Sequence, residues 1–174
     1  MPSATTDRSA TPTDAAFLAA MAGLAGGVCV VTTAGPEGRP AGFTSTAVMS
    51  LSRSPQLLAI GVDQASRTLP ALLGRGRFAL NILRADGESL SRRFADRTAD
   101  RFAGLDWTTD EWDVPVLAAY SAAVLSCQVV RDVPAGDHRL IVASVRRVLP
   151  GAEGGGALVH LGRRYHQLPA EYAR

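Results

Sequence analysis

The alternation of apolar and polar positions predicts a chain built mostly of strands. Gly42 to Pro55 (GFTSTAVMSLSRSP) reads as one long strand, and successive side chains of a strand point to opposite faces. One face carries Phe43, Ser45, Ala47, Met49 and Leu51 and is expected to meet a core. The other carries Thr44, Thr46, Val48, Ser50 and Ser52, a small uncharged face rich in groups that both donate and accept hydrogen bonds. Val28 to Thr33 precedes it across the turn-forming AGPEGRP, so the two are expected to pair as a hairpin. Gln56 to Val62, Phe78 to Leu83, Ser121 to Val133, His138 to Val148, Leu158 to Leu161 and Arg164 to Leu168 supply further strands.

Helical spacing is confined to short stretches. Asp14 to Leu24 is predicted as a helix capped by Thr13 or Asp14, with Phe17, Met21 and Leu24 on one face and Gly26-Gly27 as its stop. Ser66 or Thr68 is placed to cap a second helix, with Pro70 in its first turn and Gly74 or Gly76 at its end. Gly87 to Asp96 predicts a third, with Leu90 and Phe94 on one side. Thr98 to Phe102 reads as a turn or short helix, and Trp107 to Val116 as an extended excursion or short edge strand. Strand–helix–strand units barely recur, which disfavours a doubly wound parallel sheet. The pattern predicts a mainly β fold, an antiparallel barrel with peripheral helices, since closure removes exposed strand edges. Residues 1–13, rich in Ser, Thr, Ala and Pro, are expected to be a disordered leader, and residues 14–174 one domain.

Composition narrows the classes. The net charge of +2 gives no reason to expect nucleic acid or an anionic membrane. No run is apolar and long enough to span a bilayer, and the N-terminus lacks the charged start and apolar stretch of a secretory signal. Cys29 and Cys127 each sit in an apolar β-type run, where a buried free thiol is the ordinary reading, and a reducing cytoplasm is the simplest location.

Four constellations are candidates for chemistry. The hydroxyl face of Thr44, Thr46 and Ser50 suits a planar, polar-edged ring, although a solvated Ser/Thr strand has the same composition. Ser66-Arg67-Thr68 at a helix start suits an anion such as phosphate, although an ordinary capped helix beside a solvated Arg looks alike. Together a ring site and a phosphate site describe flavin mononucleotide. Asp137-His138 stands at a turn, and Gly162-Arg163-Arg164-Tyr165-His166 offers cations and an aromatic ring. No Gly-rich dinucleotide fingerprint, phosphate-loop Lys, metal-spaced His/Cys set or nucleophile elbow is present, so an organic cofactor is expected to supply any chemistry.

Taken in order, GGVCVVTT, GRPAGFTSTAVMSLSRSP, SRTLPALLGRGRFALNIL, RRFAD, RFAG, VPVL, AVLSC, GDHRLIVASV and LVHLGRRYHQL resemble the flavin reductase-like family, the FMN-binding split-barrel reductases that serve two-component monooxygenases. The chain departs from that pattern at Pro55-Gln56, at Ala143 and in Ala65-Ser66-Arg67-Thr68. The resemblance implies a split β-barrel homodimer that binds FMN, or FAD, and takes hydride from NADH or NADPH for a flavin-dependent monooxygenase. It places Thr44, Ser45, Thr46 and Ala47 at the isoalloxazine and ribityl groups, with Ser50 and Leu51 close behind. Ser66, Arg67 and Thr68 match the phosphate segment, and Phe94 the aromatic of the following helix. His138 matches the histidine beside the nicotinamide, and Gly162, Arg163 and Tyr165 the segment near the second nucleotide. Two other readings use the same fold: a flavoprotein that keeps FMN and oxidises a substrate itself, and a non-catalytic flavin-binding module. The sequence does not choose NADH over NADPH, since Arg139, Arg163 and Arg164 are each candidates for a 2′-phosphate.

Overall fold

The run read as one strand is two. In the computed structural model, which describes residues 13–153 and 155–172, β3 (Pro40–Ser45) ends before Thr46-Ala47 and β4 (Val48–Arg53) begins after them. Earlier in the chain lie helix α1 (Asp14–Ala22), β1 (Gly26–Gly27) and β2 (Cys29–Ala34); β5 (Gln56–Asp63), helix α2 (Leu69–Arg75), β6 (Arg77–Leu83) and helix α3 (Glu88–Ala95) follow. After a short pair, β7 (Thr108–Thr109) with β8 (Pro115–Val116), come the long strands β9 (Ser121–Ala135) and β10 (His138–Pro150). The hairpin of β11 (Ala157–Leu161) and β12 (Arg164–Leu168) closes the chain.

Seven strands form an antiparallel sheet in the order β3-β2-β6-β9-β10-β5-β4. Its outermost strands, β3 and β4, are joined by only Thr46 and Ala47, so the sheet must curl back on itself, and the Gly61 N–H donates to the Ala47 carbonyl at 2.8 Å across the closure. This is the mainly β, antiparallel barrel with peripheral helices expected from the residues, and the split barrel that the resemblance implies. The expected β2–β3 hairpin pairs as predicted. The core face assigned to Met49 and Leu51 is corrected: both are exposed, because the step at Thr46-Ala47 resets the alternation and a bulge between Ser50 and Ser52 resets it again.

Inside the barrel, Val31, Ile60, Val62, Leu72, Phe78 and Ile141 are fully or almost fully buried. A second cluster under α3 gathers Val28, Val30, Leu83, Leu90, Phe94, Phe102, Leu117 and Leu158. The excursion 107–116 is tied down by buried polar groups. Asn81 Nδ2 donates to the Val30 carbonyl (2.9 Å) and Thr32 Oγ1 (3.0 Å), while its Oδ1 accepts from the Leu117 N–H (2.8 Å). Asp110 accepts from the N–H groups of Trp112 and Val114 and from Ser126 Oγ at 2.7 Å. Buried polar groups must find partners, and these have them.

Helix α1 departs from expectation: Thr13 caps it as predicted, but none of its residues is buried, and Phe17 and Leu18 are more than half exposed. The expected leader at 1–13 lies outside the described residues except for this cap. No described helix is long and apolar enough to cross a membrane. Cys29 and Cys127 are buried free thiols, and burial pushes both up to about 12. The thiolate is the reactive form, so both cysteines should resist a disulfide reagent at pH 8 in the folded protein and react once it is unfolded. Rapid labelling of either thiol in the native state would contradict that burial.

Candidate functional site

The step that closes the barrel also opens a cavity of about 330 Å³. Thr44, Ser45, Thr46 and Ala47 form one wall. Gly61 and Asp63 come from β5, Ala65, Ser66 and Arg67 from the loop after it, Phe94 from α3 and His138 from the start of β10. Strand register brings the last group in, since His138 pairs with Asp63 across the β5–β10 ladder. Residues far apart in the chain therefore converge because β5 lies between β4 and β10.

The hydroxyls of this wall are not equivalent. Thr44 Oγ1 donates to the Ser91 carbonyl at 2.6 Å, so its proton is committed to α3 and its oxygen offers only acceptance to the cavity. Ser45 Oγ accepts from the Ala47 N–H at 3.2 Å, which shapes the step, and keeps its own proton free. Phe94 is fully buried and stands edge-on to Phe102, 5.1 Å between ring centroids. Its ring lies so close to β3 that a Cβ on Gly42 would sit 2.9 Å from it, which requires glycine there. Gly61 has the same kind of constraint, 3.2 Å from the Ala47 Cβ.

The opposite end of the cavity is cationic. Arg97 and Arg101 join Arg67 around it. Arg97 Nη2 lies 3.3 Å from Asp63 Oδ2, whereas Arg67 and Arg101 have no carboxylate within salt-bridge distance among the described residues. Arg101 donates to the Gly42 and Asp96 carbonyls and Arg67 to the Arg97 carbonyl, which fixes both side chains. Burial lowers the Arg101 pKa, and the neighbouring Arg67 charge lowers it further. Three crowded guanidiniums, of which only Arg97 is paired with a carboxylate among the described residues, form a site that an anion relieves. The hydroxyl wall and the cationic end together fit a flavin phosphate ester: acceptors and donors for ring edges and ribityl hydroxyls, then guanidiniums for phosphate.

His138 is held by Asp137, Nδ1 to Oδ1 at 2.7 Å. That hydrogen bond, and then the histidine charge, lower the Asp137 pKa. With Asp137 ionised, Nδ1 is the donor in this hydrogen bond, which fixes the orientation of the ring.

Of the residues singled out in the sequence, Thr44, Ser45, Thr46, Ala47, Ser66, Arg67, Phe94 and His138 line this cavity, and the others do not. Ser50 and Leu51 follow the barrel-closing step onto the exposed edge of β4. Thr68 is buried and spends its hydroxyl on the Gly42 carbonyl. It makes no cap, and α2 has only seven residues, so guanidiniums rather than a helix start provide the cationic end. Gly162 and Arg163, both at positive φ near 60°, form the two-residue turn of the β11–β12 hairpin. Tyr165 packs on α3, its hydroxyl 2.9 Å from Ser91 Oγ and its ring 5.0 Å from the Arg92 guanidinium. Gly61, Asp63, Arg97 and Arg101 were missed. Of the two arginines, only Arg101 falls within a segment that carries the resemblance, RFAG; Arg97 stands just after RRFAD.

Comparison with known proteins agrees with this geometry. The family model described as flavin reductase like domain matches residues 21–169. The flavin reductase (NADH) of Kitasatospora aureofaciens is 42% identical over 156 residues, covering 89% of this chain and 82% of that protein. The FMN reductase (NADH) RutF of Pseudomonas syringae pv. syringae (strain B728a) is 37% identical over 158 residues, covering 90% and 87%. Among solved structures, a homologue of nitrilotriacetate monooxygenase component B from Mycobacterium thermoresistibile superposes with a TM-score of 0.83 at 29% identity, covering 89% of this chain and 86% of that one.

Proposed function

Because the chain belongs to the flavin reductase-like family, we propose that it is an NADH-dependent flavin reductase that hands reduced flavin to a partner monooxygenase. The observation that carries this reading is the single cavity in which the neutral wall 44–47 meets Arg67, Arg97 and Arg101. When bound, the flavin supplies the ring that accepts hydride. The chain's own work is positioning, and such a transfer depends on proximity and orientation more than on an acid or base. Thr44 and Ser45 hold the ring edge, Phe94 closes the wall behind them, and the arginines fix the phosphate. His138, oriented by Asp137, borders the same cavity and positions the nicotinamide.

Nicotinamide choice also has support. Arg139, a candidate for the 2′-phosphate of NADPH, is engaged by Asp132, with Nε 2.7 Å from Oδ1 and Nη2 2.5 Å from Oδ2. A guanidinium already paired in this fork has little to gain from a second anion. Steady-state oxidation of NADH should therefore depend on added FMN or FAD and exceed that of NADPH at least tenfold in kcat/KM. No turnover of either nicotinamide with either flavin would overturn the assignment.

A homodimer fits the exposed apolar side chains of Phe17, Leu18 and Met21 on α1 and of Met49 and Leu51 on β4, since apolar surface of this kind marks an interface. The reducing cytoplasm fits the two free thiols.

A further inference from the structure

One carboxylate faces the cationic end of the cavity. Asp63, the last residue of β5, lines the same space as Arg67, Arg97 and Arg101, and its Oδ2 lies 3.3 Å from Arg97 Nη2. We propose that Asp63 is an internal competitor for Arg97: it reclaims this guanidinium from the flavin phosphate and so sets how fast flavin leaves. The proposal rests on the flavin-reductase reading and deepens it.

A negative group in a cavity that takes an anion opposes binding, so its use lies in release. Its position is fixed. The Ser66 N–H donates to the Asp63 carbonyl at 2.9 Å, and the Gln64 N–H to the Asp137 carbonyl at 3.0 Å. Asp63 Oδ1 accepts from the Ala65 N–H at 2.7 Å, which leaves Oδ2 to Arg97. His138, across the ladder from Asp63, is held by Asp137, so Arg97 is the cation that Asp63 engages. The three arginines are not equivalent. Arg67 and Arg101 are tied to neutral backbone carbonyls and have no carboxylate partner among the described residues. The Arg97 side chain donates only to Asp63 among the described residues, so it is the guanidinium free to change partners. Both groups of this pair are open to solvent, 44% for Asp63 and 66% for Arg97, and so exposed an ion pair breaks at small cost. A phosphate that takes Arg97 must displace Asp63 or share the guanidinium with it, and sharing brings two like charges together. Arg67 and Arg101 thus capture the phosphate, while Asp63 limits what Arg97 adds.

The test is Asp63→Asn, whose amide keeps an oxygen for the Ala65 N–H and loses the charge. Dissociation constants of FMN and of riboflavin, which lacks the phosphate, are read by flavin fluorescence, and dissociation rates by stopped-flow dilution. The variant should bind FMN about five- to tenfold more tightly than the unmodified protein does. The gain should lie in slower dissociation, and riboflavin affinity should stay within about twofold. In an Arg97→Gln background the same substitution should leave FMN affinity within about twofold, because the partner it frees is gone. Unchanged or weaker FMN binding overturns the proposal, and so does equal tightening of riboflavin. A gain that survives intact in Arg97→Gln also overturns it, since Asp63 would then act on the phosphate without Arg97. A raised KM for NADH with FMN binding unaltered would assign Asp63 to His138 instead. An unmodified protein that binds flavin but oxidises neither nicotinamide fails as a reductase, and the comparison of FMN with riboflavin still decides this proposal. One that binds neither flavin overturns both.

Discussion

Phe94→Ala should lower unfolding stability by about 3–5 kcal/mol, the usual cost of removing a fully buried aromatic side chain. The ring has no exposed surface and stands at the centre of the second core cluster, edge-on to Phe102, which in turn meets Trp107 edge-on at 5.7 Å. It also presses on β3 at Gly42, where the structure leaves no room for a Cβ, so the cavity made by its loss cannot be filled from that side without moving backbone. For a domain of this size the loss corresponds to a fall in Tm of roughly 10 °C. Urea unfolding monitored by circular dichroism measures it. Because the same ring walls the functional cavity, flavin affinity should fall together with stability. A stability loss below about 1 kcal/mol would mean that α3 is not clamped to the barrel through this ring.

The second large effect is electrostatic. Replacing both Arg67 and Arg101 by Gln should weaken FMN binding by about 100-fold or more, since a hydrogen bond to a charged group contributes about 1.5–3 kcal/mol and two are removed. Riboflavin, which has the same ring and no phosphate, should bind the double variant nearly as well as it binds the unmodified protein. Raising the salt concentration should weaken FMN and spare riboflavin in the same way, because the guanidiniums are partly exposed and screened. Gln is chosen because Arg101 also donates to the Gly42 and Asp96 carbonyls, and an amide can keep such a bond. Equal weakening of FMN and riboflavin would show that the arginines hold the loop and do not read phosphate.

The fold was legible where pattern is local. The β-branched runs, the glycine stops and the turns around Gly38, Gly136 and Gly162 placed most elements, and the strand-dominated order disfavoured a parallel sheet. What escaped was the break at Thr46-Ala47. Nothing marks it, since neither Gly nor Pro stands there and the apolar alternation continues across it. Its cause is tertiary: the barrel closes at that point, and Gly61 supplies the hydrogen bond that holds the step. Half the site was legible for a related reason. Thr44, Thr46, Ser66, Arg67 and His138 stand out by residue type and position, and Ser45, Ala47 and Phe94 came through the family resemblance. Arg97 and Arg101 sit in a loop of ordinary charged residues, and only the approach of α3 to β3 turns them toward the same cavity as Arg67. Asn81 and Asp110 look like surface residues in the sequence, and only the tertiary structure shows that they pin the excursion to the barrel.

Hydrogen–deuterium exchange with and without saturating flavin tests most directly where the ring and phosphate bind. Protection should appear in residues 42–47, 61–68 and 91–101 and at the start of β10, and leave the cavity beside Asp86 and Tyr120 unchanged. Protection confined to that other cavity, or none in the 44–47 step at saturating flavin, would contradict the account.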